Sequence, residues 1–158
     1  MGHRAMVPGP DIIAGHAGVR AGHAVAAVLA GVEIKHVTIN PTGDSAGYIV
    51  YLRPTRALNQ VQKRSMVALA GEAAQRRFNP RSVRGHYESG DCTAVVNYAL
   101  ECSGSAEQAE LLVRFWSIQA RELVQARWNT IERVVAAHLK GKTWTHNEVH
   151  TIAMDFSA

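Results

Sequence analysis

The sequence predicts an α+β domain, predominantly helical, with one small β-hairpin or sheet. Three observations carry this. Long stretches repeat apolar residues at helical spacing. Only two short segments, VEIKHVTI at 32–39 and YIVYL at 48–52, are rich in β-branched or aromatic residues and partly alternate. Finally, 158 residues with 47% apolar composition suit a single chain-long domain, 1–158, with a substantial core.

Taken in order, residues 1–10 lack an apolar run of signal-peptide length and are expected to be disordered. Residues 11–30 read as a helix, with Asp11 as its cap after Pro10 and Gly31 as its stop. Gly15, Gly18 and Gly22 lie inside it. Each weakens a helix by about 1 kcal/mol relative to Ala. Their presence therefore points to close packing, or to a site where backbone must approach something.

The two β segments are joined by the turn residues Asn40, Pro41, Thr42, Gly43 and Asp44, which predicts a hairpin. A helix follows from Thr55 to about Phe78, with Leu58, Val61, Met66, Leu69 and Ala73 as its apolar positions, ended by Asn79 and Pro80. After a polar loop, Asp91 to Cys102 reads as a helix, and Ser103 to Ser105 break it. Ala106 to Lys140 reads as one long helical stretch with a possible bend. Its expected core positions are Leu112, Phe115, Trp116, Leu123, Trp128, Ile131, Val135 and Leu139, and Gly141 ends it. Thr145 and Glu148 have capping-box spacing, and Trp144 and Val149 have the spacing of a hydrophobic staple.

Composition narrows the function. No apolar run reaches the roughly 18 residues that a membrane span requires. Cys92 and Cys102 would stand ~15 Å apart on one straight helix, too far for a disulfide, so reduced thiols and a cytoplasmic setting are expected. The net charge is +4 and the pI about 9.4. Basic residues are scattered and no aromatic residues interleave them, so solvated helix faces are favoured over a nucleic-acid surface. A basic nucleic-acid-binding protein remains an alternative.

Four segments in order are similar to the FtsH-type zinc metallopeptidase domain. AGHAVAAVLAGVEIKHVTINPTGDSAGYIVYL, 21–52, resembles that family's H-E-A-G-H-A-V helix with the strand, Pro-Gly loop and G-Y strand after it. MVALAGEAAQRRF, 66–78, resembles its L-A-G-x-A-A-E-E-x helix. SGDCTAVVNYA, 89–99, resembles the segment bearing its third metal ligand, and WNTIERVVAAHLKGKTWTHNEVHTI, 128–152, its closing helices. The resemblance covers about 12–152. It implies a mainly helical peptidase fold, a zinc cofactor, and an edge strand that holds extended peptide. No G-x-x-x-x-G-K-[ST] phosphate loop occurs, so the expectation is a peptidase-like domain standing apart from an ATPase module.

The metal-binding motif departs from the family. A zincin helix projects two His at i and i+4 onto one ion, and the Glu between them takes a proton from metal-bound water. Here the segment is Val19-Arg20-Ala21-Gly22-His23. Val19 has no lone pair to give, and Arg20 cannot serve as a base near neutral pH. His23 retains the second His position, and Asp91 matches the third ligand. Two protein ligands are one fewer than a catalytic zinc site normally has. By themselves, Asp91 also suits a helix N-cap and His23 a buried polar residue with one hydrogen-bond partner.

His16 shares a face with His23 but lies ~10.5 Å away along the helix, whereas zinc-bound nitrogens sit about 3.3 Å apart. A His16/His23/Asp91 site, with a base such as Glu72 or Glu88, is thus the alternative to a domain that has lost proteolysis. His146 and His150, at i and i+4, are expected to be a surface pair. The expectation is a metal-free binding or assembly module, with Arg20 paired to Asp91 in place of the ion. Its expected partners are an extended peptide, another protein or further copies of itself.

Overall fold

One helix forms the centre of the protein. The structure, a computed structural model, describes residues 10–38, 48–51, 58–80, 90–140 and 143–155. The expected hairpin turn, the loop bearing Glu88, the Gly141 stop and residues 1–9 lie outside them. Helix α1, Pro10–Ala30, is buried along its second half, with Ala17, Ala21, Ala24 and every residue through Val28 shielded from water. Small alanines there let neighbouring helices approach closely. Pro10 opens the helix, where its missing N–H is no loss, so Asp11 lies within the first turn and not before it.

Gly31 ends α1 as expected. Its φ of 67° is the left-handed conformation a glycine adopts without strain. The Gly31 N–H donates to the Val28 carbonyl at 3.1 Å and the Val32 N–H to the Ala27 carbonyl at 2.8 Å, a Schellman pattern.

The strands β1, Ile34–Thr38, and β2, Tyr48–Tyr51, pair antiparallel as expected, with an irregularity between Ile34 and His36. A third strand, β3, Trp144–Thr145, pairs with the other side of β1 through Thr145 and His36. The sheet order is β2-β1-β3.

Helix α2, Leu58–Phe78, packs along α1. Its deepest line is Val61, Ser65, Val67, Ala70 and Ala74, while the apolar Met66, Leu69 and Ala73 are half-buried and pack against the core. Helix α3, Gly90–Glu101, begins one residue earlier than expected, which puts Asp91 inside its first turn instead of at an N-cap.

The stretch expected as one helix is two: α4, Ala106–Ala126, and α5, Trp128–His138. Arg127, at φ −114° and ψ 23°, leaves helical geometry between them. Ser105 caps α4 by accepting from the Gln108 N–H. Of the expected core positions, Trp116, Ile131 and Val135 are buried and Leu112, Leu123 and Trp128 half-buried. Phe115 and Leu139 are exposed, which corrects the expectation for both.

Helix α6, His146–Met154, starts with the expected capping box: Thr145 Oγ1 accepts from the Glu148 N–H, and the Thr145 N–H donates to Glu148 Oε2 at 2.8 Å. Arg133 on α5 donates to the Ile152 carbonyl near the end of α6. The main core joins α1, α2, α4, α5, α6 and β1. A second cluster of Val61, Val95, Ala99, Ala109 and Trp116 joins α2, α3 and α4. No described helix is long and apolar enough to cross a membrane.

Candidate functional site: a histidine between two helices

His23 sits where α1 meets α2. That contact is exceptionally close, and glycines make it so. A Cβ on Gly22 would stand 2.7 Å from both the Ala70 carbonyl oxygen and the Ala74 Cβ. One on Gly18 would enter the Phe78 ring. Side chains there would force the helices apart, so the glycines' propensity penalty is offset by dense packing. Phe78 continues the seam to α5: its ring lies 4.5 Å from that of Trp128, over which the Arg77 guanidinium sits at 4.3 Å.

His23 is 2% exposed. Its Nδ1–H donates to the Val67 carbonyl at 2.8 Å, which requires the proton on Nδ1 because a carbonyl can only accept. The ring lies over Gly71: a Cβ built there would be 2.2 Å from Nε2, 2.3 Å from Cε1 and 2.6 Å from Cδ2. Val67 and Gly71 are one turn apart, so the ring lies along a single turn of α2. Val19 and Arg20, one turn or nearly so before His23, are half-buried.

Asp91 and His16 are placed by their backbones, on α3 and α1; their side chains lie outside the described residues. The first turn of α3 is nevertheless tied to α2. The Cys92 Sγ–H donates to Glu72 Oε2 at 3.0 Å, and Glu72 directly follows Gly71. The other carboxylate oxygen, Glu72 Oε1, accepts from Arg76 at 3.0 Å (Nε) and 2.6 Å (Nη2). Glu72 is thus engaged by a guanidinium and a thiol. The Glu72–Arg76 pair has the i,i+4 spacing that a sequence displays, but its link to Cys92 does not show in spacing. The two cysteines are not bridged.

Glu72, Arg76 and Cys92 line a cavity of about 880 Å³ between α2, α3 and α4, walled also by Leu69, Val95 and Val113. His23 does not line it. Among the described residues, no three His, Cys, Asp or Glu side chains converge as metal ligands. The His146 and His150 rings are 6.2 Å apart, and His146 Nδ1 accepts from the Ile34 N–H at 3.4 Å, so it supports the irregular start of β1.

The donor set fits zinc poorly. Val19 offers no donor and Arg20 brings positive charge, so the helix that carries His23 supplies no second ligand beside it. No protein-family model matches the chain, and no curated protein matches it.

Proposed function

We propose that this chain is a metallopeptidase-like domain in which the zinc centre has become a helix–helix contact, and that it works as a binding or assembly module without hydrolysis. The observation that carries this is the His23 ring laid along one turn of α2, bonded to Val67 and pressed on Gly71. A zinc-binding imidazole needs an open lone pair about 2.0 Å from the ion. With Val19 and Arg20 in the places of the other ligand and the base, His23 has no second helical donor with which to share an ion.

The position of α3 supports the family resemblance itself. Cys92 docks beside Glu72, the residue after Gly71, so the start of α3 and His23 both meet α2; in this reading Asp91 stands in the place of the third ligand. With Val19 and Arg20 in the remaining places, a carboxylate at Asp91 has a guanidinium for company in place of a metal ion. In this reading the Arg20–Asp91 pair joins α1 to α3. Strand β2 is an edge of the sheet, and its outer rim is where an extended peptide would add by backbone pairing.

A second reading keeps the enzyme. The Nδ1–H bond from His23 to a carbonyl is also how metal-binding histidines are oriented, so His16, His23 and Asp91 could gather zinc after a helix shift. Casein hydrolysis separates the two. The non-hydrolytic reading expects none with added zinc; cleavage that a chelator abolishes establishes the second.

A further inference from the structure

The outward side of α4 carries large exposed apolar side chains, the last of which, Ile118, also lines the cavity between α2, α3 and α4. Leu111 is 60% exposed, Phe115 50% and Ile118 37%. Their four-then-three spacing puts them on one stripe of the helix, opposite the buried Ala109, Trp116, Ala120 and Val124. A monomer gains nothing from such a stripe, and contiguous exposed apolar patches of a few hundred Å² mark interaction sites. Spacing of this kind is what a second helix packs into.

The charges beside the stripe say which helix. Glu107, Arg114 and Arg121 recur every seven residues along one flank. All three are exposed, and neither Glu107 nor Arg121 makes an ion pair among the described residues. A parallel partner would set each charge beside its own kind. An antiparallel copy of α4, with its two-fold axis near residues 113–114, sets Leu111 against the partner's Phe115. It also sets Glu107 against the partner's Arg121, about 21 Å along the helix from its own Arg121. Symmetry makes each contact twice. The cost is at the axis, where the two Arg114 side chains approach. Glu110, one turn before Arg114, offsets that charge.

We infer that α4 is a self-association surface: two copies of this chain pack antiparallel through Leu111, Phe115 and Ile118, with Glu107 paired to the partner's Arg121. The inference goes beyond the state of the His23 site, and its failure would leave that account untouched.

Sedimentation velocity over a dilution series of the full chain tests it. The unaltered protein is expected to dimerise. Phe115→Glu should abolish the dimer while circular dichroism shows unchanged helix content, since the side chain is exposed. Glu107→Arg or Arg121→Glu alone should weaken association several-fold, and the double reversal should recover it. A protein that stays monomeric at every concentration overturns the inference. So does an assembly indifferent to Phe115→Glu, or a double reversal no better than the single ones.

Discussion

The imidazole of His23 covers the place a Cβ on Gly71 would take, with Nε2 2.2 Å and Cε1 2.3 Å from that point. Each residue accounts for the other. A ring can lie flat along α2 only where one turn of that helix lacks a side chain, and a glycine inside a helix needs such a reason to be there.

Gly71→Ala should therefore destabilise the protein by about 1–3 kcal/mol, the range for overpacking a dense interior. Urea denaturation measures it. An open helical site would show the opposite sign, a gain approaching 1 kcal/mol from better helix propensity.

His23→Ala should cost about 2–4 kcal/mol, from the lost buried ring and its bond to Val67. The informative quantity is the cycle. In the His23→Ala background, Gly71→Ala should become nearly harmless, because the new methyl enters the space the ring left. Additive losses would mean the two residues do not meet as described.

How much of this could be read in the sequence depends on the range of each interaction. The end of α1 at Gly31 and the capping box at Thr145 and Glu148 are local, and both were legible. So was the tight packing implied by the α1 glycines, although not the identity of the helix they meet. Strand β3 has two residues and exists only through its pairing with β1, more than a hundred residues earlier, so nothing local announces it. Phe115 and Leu111 share helical periodicity with buried neighbours, and apolar spacing alone does not distinguish a core face from an outward stripe. At the candidate site, the unsuitability of Val19 and Arg20 for zinc was plain from their chemistry. The partners of His23 were not, because Val67 and Gly71 lie on another helix.

Ser65 gives a stabilising prediction. Its hydroxyl is fully buried in α2 and makes no hydrogen bond among the described residues. An unsatisfied buried hydroxyl costs about 1–3 kcal/mol. Ser65→Ala removes it and adds helix propensity, so the urea midpoint should rise by the equivalent of about 1 kcal/mol. A loss of stability would reveal a partner for that oxygen.

Thr145→Ala should lower stability by about 1 kcal/mol through loss of the α6 cap. Val149 and Ala153 carry α6 into the main core, so the loss should appear in global thermal unfolding and not only in local fraying. An unchanged midpoint would mean that α6 is held by packing alone.

In the proposed reading, a helix contact has taken the place of a zinc centre. Elemental analysis of the purified protein, dialysed after exposure to excess zinc, tests it most directly. The account predicts no stoichiometric zinc and no difference between the unaltered chain and His23→Ala. A tightly held zinc ion on every chain, lost in His23→Ala, would contradict it.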